Sequence, residues 1–144
     1  MMEYFSMTYT ETADMIKRHE GYSDRIYLDS KGIPTGGWGH AFLPGSNLPL
    51  DIALRLFKSD LDQAIDDYES LGLDLDSIRR AVVIDMLFNL GLPKFMGFKK
   101  FIAALRAENW KIAAAEMKDS LWYRQTKERA RELVGMMIIG ENYV

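Results

Sequence analysis

Cysteine is absent from the 144 residues. Disulfides, thiolate zinc sites and a cysteine nucleophile are thereby excluded. Only two histidines are present, His19 and His40, which argues against a histidine-rich metal centre. No run approaches the roughly 20 apolar residues that a membrane helix needs, so no membrane insertion is expected. The opening stretch, MMEYFSMTYTETADMIKRHE, lacks a basic head followed by an apolar run of about 7–15 residues, so it does not read as a secretory signal peptide. A net excess of positive charge is missing too. The formal net charge is −3, which argues against a nucleic-acid polycation and against a nucleic-acid partner.

What is there describes an ordinary globular chain. Apolar residues make up 48% and charged residues 27%, typical of a folded soluble domain rather than a disordered segment. The length suits one domain, 1–144, able to bury roughly 68–70% of the surface its unfolded form exposes. The charge is segregated. Residues 94–131 hold ten Lys/Arg against four Asp/Glu, and the rest of the chain holds eight against seventeen. A basic second half suits an anionic polymer, and it equally suits a solvated helix surface.

Residues 9–20 read as a helix capped by Thr10 or Thr12 and ended by Gly21. Residues 22–43 contain the strand formers Tyr22, Ile26, Tyr27, Ile33 and Trp38 between glycines, and predict a small antiparallel hairpin with its turn near Asp29–Gly32. A loop follows at 44–49. A long helix then runs from Asp51 to about Leu71, with Ile52, Leu56, Leu61 and Ile65 as its apolar face. Asp76 or Ser77 caps the next helix, which Gly91-Leu92-Pro93 ends. Further helices are predicted over 94–106, 108–118 and 120–134. The fold class is α+β, mostly helical with a small antiparallel β-hairpin lobe.

The chemistry-bearing segment is Glu20-Gly21-Tyr22-Ser23-Asp24-Arg25-Ile26-Tyr27-Leu28-Asp29, followed by Pro34-Thr35-Gly36-Gly37-Trp38-Gly39-His40. Glu20 closes a helix. A carboxyl there faces the negative pole of the macrodipole, an environment suited to holding a proton and giving it away. Asp29 lies in a polar turn beside Ser30 and Lys31. One proton-bearing carboxyl and one carboxylate are the equipment of glycoside hydrolysis. Each also has a bland explanation: Glu20 as a helix-end surface charge, Asp29 as a turn former. The residues alone leave both open. The glycine run Gly36-Gly37-Trp38-Gly39 is followed by no helix, so it does not read as a phosphate loop. Glycines there suit the close approach of another backbone or a ligand.

The spaced run Glu20-Gly21-x5-Tyr27-x-Asp29-x5-Thr35-x-Gly37-x-Gly39-His40 resembles the active-site signature of the phage-type lysozymes, glycoside hydrolase family 24. The resemblance continues in order through Asp51–Ile65, Arg80–Gly91, Asn109-Trp110-x-x-Ala113-Ala114 and Trp122-Tyr123-x-Gln125-Thr126-x-x-Arg129-Ala130. It covers about residues 9–135. It implies a two-lobed fold: a hairpin lobe over about 20–50, a linking helix over about 50–71, and a helical lobe over about 70–144 that takes in the N-terminal helix.

Position by position, the resemblance makes Glu20 the catalytic acid and Asp29 the second carboxylate, which assists a water in an inverting reaction. Thr35 lies near that water. Arg129 pairs with the catalytic glutamate, Asn89 and Gln125 line the cleft, and His40 forms a structural ion pair with Asp60. The implied activity is hydrolysis of the β-1,4 bond between N-acetylmuramic acid and N-acetylglucosamine in peptidoglycan, with no metal or other cofactor. A lytic transglycosylase and a catalytically silent wall-binding module are the alternatives. The implied setting is a monomer that accumulates in the cytoplasm, a phage host's if the chain is a phage product, and reaches the wall with the help of a holin. Gly36 stands where the family usually has an aliphatic residue, which predicts a looser hairpin. His19 replaces an acidic residue beside the acid, and the segment between His40 and the long helix is short.

Overall fold

The computed structural model describes residues 6–43 and 45–141. Pro44, within the predicted loop, and the first five residues of the opening stretch lie outside that range. The chain divides into two compact units. One takes the chain up to Thr12 together with Ala64 onward, and the other is Ala13–Gln63.

The first helix, α1, is Tyr9–Glu20. Its cap is Thr8 rather than Thr10 or Thr12. The Thr8 hydroxyl accepts from the Glu11 backbone N–H at 3.1 Å, and the Glu11 carboxylate accepts from the Thr8 N–H at 3.3 Å. This is a reciprocal capping box, which needs an acidic residue three positions after the cap. Thr8 has one in Glu11, whereas Thr10 and Thr12 do not.

The predicted hairpin is a three-stranded antiparallel sheet: β1 Ser23–Leu28, β2 Pro34–Gly37 and β3 His40–Ala41. Tyr27 lies opposite Thr35, and Gly36 lies opposite His40. Gly39 at φ +80° permits the tight return from β2 to β3. That two-residue strand is too short to be seen in sequence periodicity.

Helix α2 is Leu50–Ser70. Its buried face is Ala53, Phe57, Leu61, Ala64 and Tyr68; of the predicted stripe Leu61 is buried, Leu56 and Ile65 are half-buried, and Ile52 is exposed. Close approach explains Ala53. A Cβ on Gly37 would lie only 3.3 Å from the Ala53 Cβ, so the small residue faces β2 and the larger aliphatics flank it. Within Ala13–Gln63 the core is Ile26, Leu48 and Ala53, with Trp38, Phe42 and Leu56 packed against it.

In the other unit the central helix is α3, Ser77–Leu90, buried almost all round from Ile78 to Leu87 and capped by Asp76, which accepts from the Arg79 N–H. The predicted helix over 94–106 is broken. A short turn, α4 Leu92–Phe95, carries Pro93 near its start, and α5 is Lys99–Arg106. Gly91 ends α3 as predicted, and Pro93, tolerated in a first helical turn, lies at the start of α4. Helix α6 is Trp110–Lys118, capped by Asn109. The predicted helix over 120–134 is also two: α7 Leu121–Thr126, capped by Ser120, and α8 Glu128–Ile139. Lys127 separates them at φ +48°, a conformation that a helix interior cannot contain.

Arg79 ties this unit together. Its Nε donates to the Met137 carbonyl at 2.7 Å, Nη2 to Ile138 at 3.0 Å and Nη1 to Asp76 at 2.9 Å, and its guanidinium lies 4.1 Å from the Trp110 ring centre. The last carbonyls of α8 thus receive their donors from a side chain.

Candidate active site

Glu20 is the last residue of α1, and Gly21 follows at φ +69° with its N–H bonded to the Lys17 carbonyl at 2.9 Å. The helix therefore ends at the carboxyl-bearing residue, with β1 beginning three positions later at Ser23. Gly39 lies against that carboxyl. A Cβ at Gly39 would stand 2.5 Å from Glu20 Oε2 and 2.8 Å from Cδ. The hairpin backbone is thus one wall of the Glu20 position. Neighbouring Trp38 is held by three contacts: the Tyr22 ring at 4.8 Å, the Phe57 ring at 5.8 Å and the Lys17 ammonium at 5.0 Å from its centre. Cation–ring and tilted ring contacts of this kind each add modest attraction beyond burial.

Asp29 is a turn former through one oxygen. Oδ1 accepts from the backbone N–H groups of Lys31 and Ile33, both at 2.8 Å. No hydrogen bond to Oδ2 is made by a described residue, so that oxygen is available to a water or a ligand. Ile33 links the two predicted residues. Its N–H donates to Asp29, and its carbonyl accepts from the buried Thr35 hydroxyl at 2.8 Å. The bland and the catalytic explanations of Asp29 are therefore compatible, because the turn commits only one of its two oxygens.

Tyr27 belongs to the same neighbourhood, although nothing in the sequence reading gave it a role. Burial raises its phenol above the ordinary value, and the negative charges of Glu20 and Asp29 raise it further. Both carboxylates lie within electrostatic reach of one phenol.

The His40 and Asp60 pair forms as the resemblance implied, with Nδ1 2.8 Å from Oδ2 and each side chain about one-third exposed (31% and 35%). The β1–β2 register is irregular opposite Gly36, between Ser23 and Tyr27. Gly36 is buried, and a Cβ there would meet Ile26 Cδ1 at 2.7 Å. The space that an aliphatic side chain would occupy holds Ile26 instead.

In the other unit, the Asn89 carbonyl oxygen accepts from Trp122 Nε1 at 3.0 Å, which fixes the amide's orientation. Gln125 is exposed on α7, one turn beyond Trp122. Arg129 is held by Asp85, with Nε 2.7 Å from Oδ1. Sequence reading missed Asp85, a wholly buried carboxylate. The available signal was a lone charge inside the apolar run Val82-Val83-Ile84-Asp85-Met86-Leu87, since a charge in a buried helix needs a partner.

These features, a carboxyl walled by a GxGH turn and a turn-anchored aspartate nine residues on, agree with comparisons to known proteins. The phage lysozyme family model matches residues 17–137. The chain belongs to the phage lysozyme family. Among its relatives is a probable T4-type lysozyme of Dictyostelium discoideum, 27% identical, with 88% of this chain and 93% of that protein covered. The endolysin of Salmonella phage P22 is 29% identical, with 78% and 81% covered. The peptidoglycan hydrolase gp36 of Pseudomonas phage phiKMV is 26% identical, with 85% of this chain but 14% of that protein covered. Phage lysozyme membership agrees with the mostly helical α+β fold and its small antiparallel sheet. No helix among the described residues is long and apolar enough to cross a membrane.

Proposed function

We propose that this phage lysozyme family member hydrolyses peptidoglycan at the β-1,4 bond between N-acetylmuramic acid and N-acetylglucosamine. Glu20 protonates the leaving oxygen. Asp29, through Oδ2, takes a proton from the water that attacks the opposite face of the sugar, and Thr35 helps to hold that water. The reaction inverts the anomeric centre and needs only two carboxyl groups and water. Asn89 and Gln125 are assigned to substrate binding. Arg129, His40 and Asp60 are assigned supporting roles. The single-domain organisation read from the sequence, with hairpin lobe, linking helix and helical lobe, is retained as part of this proposal.

The observation that carries the reading is the placement of the Glu20 carboxyl against the Gly39 backbone. A surface charge at a helix end needs no such wall, whereas a proton donor must be held in one position. Asp29 supports it, because two backbone N–H groups occupy one oxygen and leave the other for chemistry. The relative from phage P22 bears the name endolysin, and that from phage phiKMV the name peptidoglycan hydrolase. We infer further that the protein accumulates in the cytoplasm, a host's if it is a phage product, depends on a holin to reach the wall, and acts as a monomer.

Product analysis tests this reading. Purified walls digested by the protein are expected to release fragments ending in a reducing N-acetylmuramic acid, first seen by proton NMR as the α anomer. Anhydro-sugar ends would instead identify a lytic transglycosylase. Binding to walls without any product would identify a silent module.

A further inference from the structure

We propose that Tyr27 is a third functional side chain of the Glu20–Asp29 site, its hydroxyl donating a hydrogen bond to the bound sugar. The inference rests on the reading of the site as a peptidoglycan-hydrolase centre and adds a substrate-contacting residue to it.

Four observations support the assignment. First, Tyr27 is directly opposite Thr35 in the β1–β2 pair, and facing residues of an antiparallel pair project to the same side of the sheet. Asp29 comes two positions after Tyr27, at the parity that continues that face past the end of the strand. Second, the phenol lies in the field of both Glu20 and Asp29. Third, Tyr27 is 43% exposed although its neighbour in the strand, Ile26, is 7% exposed. Fourth, its hydroxyl makes no hydrogen bond to any described residue. A tyrosine in a folded sheet ordinarily spends its hydroxyl on a partner or directs it into bulk water. This one is spent on no described partner and feels the charge of two carboxylates.

The chemistry suits a sugar. Beside two carboxyl groups, a cationic donor would pair with them and be lost to the substrate. A phenol that stays neutral across the working pH range can donate without cancelling either charge. The flat ring next to it offers an apolar face to a pyranose. A neutral donor aimed at a ring substituent orients the bond to be cleaved, and orientation of this kind acts on kcat as well as KM.

The test compares wild type with Tyr27→Phe, which keeps the ring and removes the hydroxyl. Both proteins are measured on purified walls, with thermal melts to confirm that each folds. The expected result is a fall of about tenfold in kcat/KM, the size of one lost hydrogen bond. A second readout does not depend on turnover. The Cζ resonance of 13C-labelled Tyr27 is expected to shift when a disaccharide-peptide fragment of peptidoglycan is added, and a Glu20→Gln background keeps the fragment intact. Equal kcat/KM in the folded Tyr27→Phe protein, or a resonance unmoved by fragment that binds, overturns the inference. Failure of the wild type to act on walls is a different result, and it overturns the peptidoglycan-hydrolase reading itself.

Discussion

Gly39 and Glu20 are packed so closely that the smallest side chain would not fit between them. A methyl group on Gly39 would lie 2.5 Å from Glu20 Oε2, well inside contact distance, and Gly39 also holds φ +80°. Gly39→Ala therefore acts twice. The left-handed backbone costs about 1–3 kcal/mol for a residue with a Cβ, and the carboxyl must move off its wall. A melt is expected to show the modest stability loss. Wall-clearing assays are expected to show a loss of at least about tenfold, more than the stability change explains. Full activity in the substituted protein would detach the glycine from the acid.

Asp85 and Arg129 give the second prediction. Asp85 is wholly buried and the Arg129 side chain is 10% exposed. Removing one member of such a pair leaves the other charge buried without compensation, at about 3–5 kcal/mol. Asp85→Ala is expected to show this in denaturant unfolding, and Asp85→Asn, which keeps an acceptor oxygen, to lose less. A loss below about 1 kcal/mol in Asp85→Ala would mean that the pair contributes no more than a surface one.

The tyrosines make a prediction about alkaline pH. Burial raises both Tyr27 and Tyr68 above the ordinary value of 10.0. A phenol raised in the fold ionises first in the unfolded chain. Its contribution is intact below about pH 10 and is lost as pH rises through the folded value. Tyr68 is 6% exposed, so Tyr68→Phe is expected to flatten the alkaline fall in stability relative to wild type. The titration midpoint of Tyr27, followed by ultraviolet difference or NMR, is expected to drop in Glu20→Gln and in Asp29→Asn. An unchanged midpoint in both variants would mean that neither carboxylate faces the phenol.

For His40 and Asp60, partial exposure limits the expectation. Pairs with about one-third of each side chain exposed couple by less than about 1 kcal/mol and weaken with salt. A double-mutant cycle with His40→Gln and Asp60→Asn, run at low and high salt, measures this. A salt-independent coupling of several kcal/mol would contradict the surface-like character of the pair.

Much of this was legible in the chain, and the exceptions have physical causes. Strong local signals held. Gly21 ends α1, Asp76 caps α3 and Ser120 caps α7, because each needs only a few neighbouring residues. Spacing to a known family singled out Glu20 and Asp29 among twenty-one acids, and with them Thr35 and the His40–Asp60 pair. The helix breaks at Met96–Phe98 and at Lys127 were missed, since helical periodicity runs across one to three residues that leave the helix. The buried face of α2 was only partly foreseen, because its close contact with Gly37 of β2 is made by Ala53, a small residue that an apolar stripe does not single out. Asp85 and Gly39 gain their meaning from a partner distant in sequence, Arg129 and Glu20 respectively. Periodicity and local signals along the chain do not carry that information.

The central claim is that Glu20 delivers a proton to the sugar bridge, and one comparison tests it most directly. The rate of wall clearing by wild type is set against that of Glu20→Gln, a variant that keeps the side chain's shape and removes its acid. A drop of about 10²- to 10⁴-fold, the usual worth of a positioned general acid, is the expected result. Equal clearing by two folded proteins would contradict it.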